Sequence, residues 1–330
     1  MVKFNINDFL ERYYTEDEPI ILACSTGPDS MFILYEILKT RYAKNLVACY
    51  FNHKLRKEAD DEERFLEELG KKHNFKVEIA EAKIKEIRDN FYPSLGLEEV
   101  AREKRYAFLN AILNIYNTDK IITGHHLDDK IETFFFNLAR GTKLTGLINM
   151  TEKSGSILRP LINLEKNEIL GYLDENNLEY KIDKTNFDTD ITRNKLRHDI
   201  IPQFKKINTN YKENISNLIS YFEEIKDFLD KEVKDFLEEQ GILIFNSGKY
   251  KINTLSINGY FYIDDFNKLT SLLQKEIIKH IYFISNGNST IGLSEANIAE
   301  VLRFINGKNN KTVKEIKEMK LEKNNKIIIF

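Results

Sequence analysis

A short loop rich in hydroxyl groups is the part of this chain best suited to bind a phosphate. Residues Ser25–Ser30 (STGPDS) link the apolar run Ile20–Cys24 to a second apolar run that begins at Met31. Glycine permits a tight turn, hydroxyls add hydrogen-bond donors, and free amides at a helix start face an anion. The alternative is a plain strand-to-helix turn with a capping serine. No lysine follows Gly27 as in GxxxxGK[ST], so chemistry at a γ-phosphate is not implied.

Two acids on a second strand-to-helix segment could hold a positively charged group. His125 follows the apolar run Ile121–Thr123, and Asp129 and Glu132 come next. Carboxylates three residues apart share one face of a helix. A pair of this kind suits an ammonium ligand, whose positive charge the acids would neutralise. The alternative is a helix start stabilised against its dipole, and we expect Asp128 to serve in that way.

Two arginines on another helical pattern provide fixed positive charge. Arg102 and Arg105 lie three residues apart within Leu97–Tyr116, so they share a face of the predicted helix. One interpretation is an exposed ion pair with Glu98 or Glu99, one turn back. The other is that a guanidinium stabilises charge on an α-phosphate, and for this role we favour Arg102.

A basic strip lies further along the chain. Residues 190–206 contain five Lys or Arg against two Asp, and Arg193, Asn194 and Arg197 belong to it. Such a strip could contact the phosphates of an RNA, or it could be an ordinary solvated face.

The elements that must position these residues alternate between strand and helix. Short apolar runs without polar alternation are typical of strands covered on both faces. They occur at Ile20–Cys24, Leu46–Phe51 and Ile121–Thr123, with a weaker candidate at Val77–Ala80. Helical patterns lie at Ser30–Thr40, Ala59–His73 and Leu97–Tyr116. This order predicts an α/β fold, a parallel twisted sheet flanked by helices, with ligands at the carboxyl ends of the strands.

The sequence changes character after Pro202. Residues Asn210–Gln240 have the pattern of one long amphipathic helix, which Gly241 ends. Its expected apolar stripe consists of Ile215, Leu218, Tyr221, Ile225 and Leu229. Two strands and two helices should follow, at Ile242–Phe245, Ile327–Phe330, Leu269–Ser285 and Ser294–Ile305. We therefore predict a catalytic domain at 1–209, a connecting helix at 210–241 and a small α+β domain at 242–330.

Bulk composition limits the classes of protein. The 330 residues carry a formal net charge of −3, so any affinity for nucleic acid must come from local patches. No apolar run approaches the roughly 20 residues that span a bilayer, and no signal peptide is recognisable, so we expect a cytoplasmic protein without a membrane partner. The two cysteines, Cys24 and Cys49, form no CxxC pair, which argues against a metal cluster or a persulfide relay.

The loop at Ser25–Ser30 resembles the SGGxDS loop of the N-type ATP pyrophosphatases, the PP-loop enzymes that adenylate a substrate oxygen and release pyrophosphate. Two positions depart from that pattern. Thr26 replaces a usual glycine, and a β-branched residue is strained there if the position needs a positive φ. Pro28 offers no N–H to a phosphate.

Four further segments make the resemblance more specific. They are Phe51–Arg56, Leu97–Tyr106, Ile121–Thr133, and Asp183–Asn186 together with Arg193–Arg197 and Pro202. In this order, and with the loop, they are similar to the N-terminal domain of the tRNA(Ile)-lysidine synthetase family over about residues 18–205. The resemblance implies a ligase that uses ATP and Mg²⁺ to join free L-lysine to C2 of the wobble cytidine in isoleucine tRNA with a CAU anticodon.

The residues expected to carry this function fall into five sets. ATP would contact the loop and the end of the second strand, at Ser25, Thr26, Gly27, Pro28, Asp29, Ser30, Asn52 and His53. The metal ligand would be Asp29, because a carboxylate among phosphates needs a cation between them. The catalytic residues would be Asp29, Arg102, Asp129 and Glu132. Lysine would bind at His125, Asp129 and Glu132, and tRNA at Arg193, Asn194 and Arg197.

Two other functions fit parts of the sequence. A tRNA cytidine thiolase also adenylates its substrate, but it normally needs cysteines for sulfur delivery or a cluster. A nucleotide-binding sensor without chemistry would leave the acidic pair without a purpose. The sequence does not indicate the oligomeric state.

Overall fold

The chain divides into two units, Met1–Ser220 and Tyr221–Phe330. The computed structural model describes residues 4–56, 58–148, 150–181, 191–240, 259–309 and 312–330. The division falls within the predicted connector, because one long helix contributes residues to both units.

A six-stranded sheet forms the centre of the first unit. Its strands are β1 (Ile20–Ala23), β2 (Leu46–Asn52), β3 (Lys76–Glu81), β4 (Ile121–Ile122), β5 (Lys153–Ser154) and β6 (Ile157–Leu158). They are arranged in the order β3-β2-β1-β4-β6-β5, and all pairs are parallel except β5 with β6. Leu22 on β1 lies beside Ala48 on β2 and Ile122 on β4. The carboxyl ends of β1 and β4 are therefore neighbours.

Helices cover both faces of this sheet. They are α1 (Ile6–Tyr13), α2 (Pro28–Leu38), α3 (Glu58–His73), α4 (Ile84–Phe91), α5 (Leu97–Ile115), α6 (Leu127–Ala139), α7 (Leu144–Leu147), α8 (Lys166–Glu175), α9 (Ile191–Lys195) and α10 (Ile201–Ile207), with a π-helical turn at Leu196–Ile200. Leu22 packs in the core with α1, α2 and α8, whereas Ile21 faces α5. This alternation explains why the strands are continuously apolar.

The predicted elements of the first unit are confirmed with small shifts at their ends. The three strong strand candidates and the weaker Val77–Ala80 correspond to β1, β2, β4 and β3. The helix predicted at Ser30–Thr40 begins earlier, at Pro28, because proline is favoured in the first turn of a helix. Strands β5 and β6 were not predicted, since Lys153–Ser154 is polar and Arg159 and Pro160 interrupt the apolar sequence that begins at Ile157.

A four-stranded antiparallel sheet forms the second unit. Its strands β7 (Tyr260–Tyr262), β8 (Thr312–Ile316), β9 (Met319–Asn324) and β10 (Ile327–Ile329) are ordered β7-β10-β9-β8. Helices α12 (Ile263–Lys268), α13 (Ser271–Ser285) and α14 (Glu295–Asn306) accompany them. Two of these helices and β10 match the prediction, and the strand predicted at Ile242–Phe245 lies outside the described residues.

The long helix α11 (Tyr211–Glu239) is confirmed, but its predicted apolar stripe is partly wrong. Leu218 and Tyr221 are 42% and 57% exposed, whereas Ile219 is buried. The buried positions include Leu229, which the prediction contained, and continue at Val233, Phe236 and Leu237. The predicted stripe was displaced because several apolar residues are adjacent, which leaves the helical phase ambiguous. In the described part of the chain, no helix has both the length and the apolar character needed to cross a membrane.

A buried ion pair fixes the segment that follows β2. Glu62 on α3 is 4% exposed and accepts hydrogen bonds from the Arg56 guanidinium at 2.8 and 3.0 Å and from the Tyr50 hydroxyl at 2.9 Å. Burial and the neighbouring Glu62 carboxylate raise the pKa of Tyr50, so this phenol stays a donor. The acid thus ties the predicted ATP segment Phe51–Arg56 to α3.

Replacing Glu62 with glutamine should destabilise the first unit. Because the half-buried guanidinium of Arg56 loses its charged partner, we expect the free energy of unfolding to fall by roughly 2–3 kcal/mol. Urea unfolding measures this, with the exposed Glu67→Gln on the same helix as the control. Equal stability of both variants and the wild type would contradict the role given to this ion pair.

Candidate active site

The loop after β1 closes on the start of α2. The Ser30 hydroxyl accepts a hydrogen bond from the Ser25 amide and donates one to the Gly27 carbonyl, both at 3.1 Å. Gly27 is the N-cap of α2, no side chain caps this helix, and Pro28 follows. Amides at the start of α2 therefore have no side-chain acceptor, which is the arrangement that favours a bound phosphate.

Thr26 has the positive φ that strains a β-branched residue, as the comparison with the usual glycine suggested. Its φ is +59°, and its side chain is fully buried. The Thr26 hydroxyl donates to the Ser25 carbonyl at 2.6 Å, and the Thr26 carbonyl accepts from the Lys181 amide at 2.9 Å. A β-branched residue in this region costs on the order of 1 kcal/mol or more, so these bonds hold the loop in a conformation that glycine would adopt without strain.

Gly124 joins the end of β4 to the phosphate loop. A Cβ at this position would lie 3.0 Å from Asp29 Cβ, 3.1 Å from the Ser30 nitrogen and 3.2 Å from the Asp29 carbonyl carbon. Glycine permits this approach without strain, whereas a side chain would require the loop to shift by a few tenths of an ångström, and two of these neighbours are backbone atoms. The contact sets the distance between the loop and the residues that follow β4.

Asp29 lies at the loop but is held by a lysine that sequence reasoning missed. The Nζ of Lys166, at the start of α8, lies 2.6 and 2.7 Å from the two Asp29 carboxylate oxygens. A single carboxylate beside a phosphate loop fits Mg²⁺ of the kind that is bound mainly by nucleotide phosphates and water. The described residues contain no cluster of three metal-ligating side chains, and Asp29 could serve as a ligand once Lys166 moved aside.

The acidic pair on α6 is assembled as predicted and binds an arginine. Arg197 donates to Glu132 Oε2 from Nε at 2.8 Å and lies 3.3 Å from Asp129 Oδ1. Arg193 Nε lies 3.7 Å from Glu132 Oε1. Glu132 is 6% exposed, and burial raises its pKa against the lowering effect of Arg197. The predicted lysine site therefore holds a guanidinium here, and Arg197 is turned towards the acids.

Asp128 lies in the first turn of α6, where a carboxylate favours the helix dipole, but it does not supply the capping hydrogen bond. Asp129 accepts the hydrogen bond from the His126 amide, at 3.1 Å, and so supplies the cap. Asp128 accepts from the Lys166 amide at 2.8 Å and pairs with Lys212 Nζ at 2.6 Å. Burial acts to raise the pKa of Asp128, but these two partners bring it below its usual value. Asp128 therefore links α6 to α8 and α11.

His125 is subject to the charges of Asp129 on α6 and of three arginines. Its Nδ1 is 2.8 Å from the Thr123 hydroxyl. Burial lowers the pKa of His125 to about 4; Asp129 opposes the shift, while Arg159, Arg105 and Arg102 reinforce it. The imidazole is therefore neutral near pH 7, so it is an uncharged hydrogen-bonding group beside the charged residues.

The structure gives different surroundings to Asn52 and His53, the two residues predicted to contact ATP at the end of the second strand. Asn52 is fully buried, its amide donates to Asp60 at 2.9 Å and Glu63 at 3.1 Å, and its carbonyl oxygen accepts from the Lys54 amide at 2.9 Å. These bonds give Asn52 a structural role in place of the predicted contact with ATP. The ring of His53 packs edge-on against Phe51, with ring centroids 4.9 Å apart.

Three basic residues near the site were absent from the sequence prediction. Lys166 and Lys212 lie at the starts of α8 and α11, and nothing in their local sequence distinguishes them from solvated lysines. Arg159 carried a usable signal, because it interrupts the apolar run Ile157–Leu164 (ILRPLINL), where a charge is expected to be buried. The segment Asp183–Asn186 lies outside the described residues.

Replacing Gly124 with alanine should weaken ATP binding by about tenfold or more, because the new methyl group displaces the loop backbone. The matched control is Gly171→Ala inside α8, where a Cβ meets nothing within 4 Å. The control should bind ATP normally and gain roughly 0.5–1 kcal/mol in stability. Isothermal titration with ATP and urea unfolding measure both effects; unchanged affinity in Gly124→Ala would contradict the role of the contact.

His125 should make stability depend on pH. Its pKa of about 4 in the folded state is below the ordinary 6.5, so the unfolded chain binds the extra proton between these values. Stability therefore rises with pH from 4 to 6.5, and His125→Gln should remove at most about 3 kcal/mol of this dependence. Unfolding at several pH values measures the slope, with the exposed His73→Gln as control; identical slopes in all three proteins would refute the assignment.

Known proteins are similar to this chain over most of its length. The PP-loop domain family matches residues 1–204. A tRNA(Ile)-lysidine synthase from Persephonella marina is 32% identical over 265 residues, covering 78% of this chain and 56% of that protein. The one from Petrotoga mobilis is 34% identical over 221 residues, covering 65% of this chain and 70% of that protein. The chain thus spans little more than half the length of the first of these relatives.

A solved structure supports the fold. The U34-tRNA thiolase NcsA from Methanococcus maripaludis, solved with its [4Fe-4S] cluster, matches with a TM-score of 0.53 and 17% identity, covering 66% of this chain and 76% of that one. At this identity the likeness concerns the fold alone. The loop at Ser25–Ser30, the sheet order and the sequence relatives together show that the chain belongs to the PP-loop family and, within it, to the tRNA(Ile)-lysidine synthases.

Proposed function

We propose that this protein uses ATP to join free L-lysine to the wobble cytidine of isoleucine tRNA with a CAU anticodon. ATP would adenylate the C2 oxygen of that cytidine and release pyrophosphate. The ε-amine of lysine would then attack C2, lose a proton and expel AMP. Adenylation supplies a good leaving group, and the site aligns the amine for attack. A cytoplasmic location follows from a tRNA substrate and is part of the proposal.

The position of His126 is the observation that carries the proposal. Its Nε2 lies 3.8 Å from Asp29 in the phosphate loop and 3.4 Å from Asp129 in the acidic pair. One buried imidazole therefore separates the candidate ATP site from the candidate lysine site. A nucleotide phosphate and an ammonium ligand bound to these two acids would be close neighbours, as transfer between them requires.

The acidic pair binds the guanidinium of Arg197, which supports its proposed role as a cation site. Asp129 and Glu132 bind one guanidinium together, so they can neutralise a single positive group. An incoming lysine ammonium would have to replace Arg197, which then becomes free to meet the tRNA together with Arg193 and Asn194. The raised pKa of Glu132 also suits a base that accepts the proton of the attacking amine.

Further groups have supporting parts in this proposal. Arg102 would stabilise charge on the α-phosphate, and Mg²⁺, held through Asp29, would neutralise the departing pyrophosphate. The residues at 242–330 would contribute a surface for tRNA. The thiolase alternative is disfavoured because Cys24 and Cys49 are buried, and burial raises the pKa of both thiols.

The experiment is incubation with labelled ATP while tRNA or lysine is omitted in turn. The proposal predicts AMP and pyrophosphate only with a CAU-anticodon isoleucine transcript, and lysine incorporation only with all three substrates. A methionine tRNA transcript, which shares the anticodon, is the control for substrate identity. Turnover that needs a sulfur source, or ATP binding without turnover, would overturn the proposal.

Glu132→Gln should separate the two half-reactions. Without the base, lysine transfer should fall by about 10²-fold or more, while pyrophosphate release stays near the wild-type rate. Single-turnover assays of each step measure the split. Glu168→Gln on α8 is a control outside the acidic pair. If lysine transfer is unimpaired in Glu132→Gln, Glu132 is not the base.

A further inference from the structure

We propose that Arg102, Arg105 and Arg159 form a second phosphate-binding subsite, on the α5 side of the sheet edge. It is separate from the loop at Ser25–Ser30. The ligand is a phosphate group. The inference deepens the proposed function and rests on it, because ATP and the RNA are the two sources of phosphate considered below.

Arg159 is the residue that most needs a ligand. It is 7% exposed, and Nη1 donates to the Thr151 carbonyl at 2.9 Å. Its Nε is also buried and has no hydrogen-bond partner among the residues that the structure describes. Burial lowers the pKa of Arg159, and Arg102 adds to the shift, but a guanidinium remains charged at neutral pH. A buried charged donor without a partner is costly unless a ligand satisfies it.

Electrostatic effects place the other two arginines near Arg159: Arg102 acts on Arg159, and Arg102 and Arg105 both act on His125. The amide of Thr123, the residue directly after β4, donates to the Leu158 carbonyl on β6 at 2.9 Å, so His125 and Arg159 leave neighbouring strands at one edge. Arg102 and Arg105 come from the start of α5, which packs on this sheet through Leu109 and Ile112.

Positive charge dominates this cluster. The guanidinium carbons of Arg102 and Arg105 lie 5.1 and 5.9 Å from the centroid of the same Tyr106 ring. Within the described part of the chain, none of the three arginines forms an ion pair with a carboxylate. Glu98 acts on Arg105 only at longer range, and Asp129 acts likewise on His125.

This arrangement has the properties of a phosphate site. Three like charges repel one another, and a dianionic or monoanionic phosphate would neutralise them while accepting their fork-shaped donors. Arg102 is exposed, Arg105 is half-buried and Arg159 is buried, so the cluster is open to a ligand from solvent. His125, neutral near pH 7, adds no further positive charge.

Two sources can supply the phosphate. One is ATP, through its α-phosphate or the pyrophosphate that leaves it. The other is the RNA backbone beside the nucleotide that is modified. The binding chemistry is the same, so the two are separated by the choice of probe.

The test compares Arg159→Met and Arg159→Lys with the wild type in the full chain. Titrations use three probes: inorganic pyrophosphate, ATP, and an anticodon stem-loop RNA carrying CAU. Arg159→Met should weaken at least one probe by about tenfold or more, and Arg159→Lys should be intermediate because it keeps the charge but loses the fork. The control is Arg64→Met, which removes an exposed arginine on α3 and should bind all probes as the wild type does.

The pattern of loss identifies the source. Weaker ATP or pyrophosphate binding with normal RNA binding assigns the phosphate to the nucleotide. Weaker RNA binding with normal ATP binding assigns the phosphate to the RNA. A stem-loop with neutral methylphosphonates beside the wobble nucleotide lacks that phosphate charge, so it should then bind the wild type and the variant equally weakly. If all three probes bind Arg159→Met normally, the subsite is refuted, and a lowered thermal midpoint in that variant would assign Arg159 to structure alone.

Arg105→Met keeps the test informative if Arg159→Met does not fold, because it must weaken the same probe and Arg105 has no other assigned role. The binding assays need neither lysine nor turnover. Arginine-dependent binding in a protein that incorporates no lysine would therefore retain the subsite and reject the proposed function. Normal lysine incorporation with arginine-independent binding would do the reverse.

Discussion

The close approach of Gly124 to the backbone of Asp29 and Ser30 is the contact on which the whole site depends. Strands β1 and β4 are neighbours in the sheet, so one delivers the phosphate loop and the other delivers His125, His126 and α6. A missing Cβ lets these two segments touch through their backbones. The distance between the candidate nucleotide and lysine sites is therefore set by the sheet and not by flexible side chains.

Much of the fold could be predicted because its strands are covered on both faces. Ile20–Ala23 and Leu46–Phe51 are continuously apolar for that reason, and the motifs at their ends mark the carboxyl edge. Helical spacing placed Asp129 and Glu132 on one face of α6, because residues three apart share a face of a helix. Strands β5 and β6 could not be predicted, because Lys153–Ser154 is polar and the apolar sequence at Ile157–Leu158 is interrupted by Arg159 and Pro160. The stripe of α11 was displaced because adjacent apolar residues leave the phase of a helix undecided.

The partners of the site residues could not be predicted, since each comes from a distant part of the chain. Lys166 reaches Asp29 across 137 residues, and Arg197 reaches Glu132 across 65. Only the fold brings such pairs together, and a lysine or arginine at a helix start looks the same whether it is solvated or bound. Asn52 illustrates the opposite case: its position at a strand end suggested a ligand contact, but three local hydrogen bonds use its side chain.

The site that results combines charges of both signs around one neutral histidine. Asp129 of α6 and the arginines Arg102, Arg105 and Arg159 all act electrostatically on His125, which suits an ammonium ligand beside a phosphate. The most direct test of this account is mass spectrometry of the wobble nucleoside after incubation with ATP, isoleucine tRNA and lysine labelled with ¹⁵N at the ε-nitrogen. We predict that the cytidine gains one lysine, less one water, with the label retained at C2. An unchanged cytidine, or one that has exchanged oxygen for sulfur, would contradict the account.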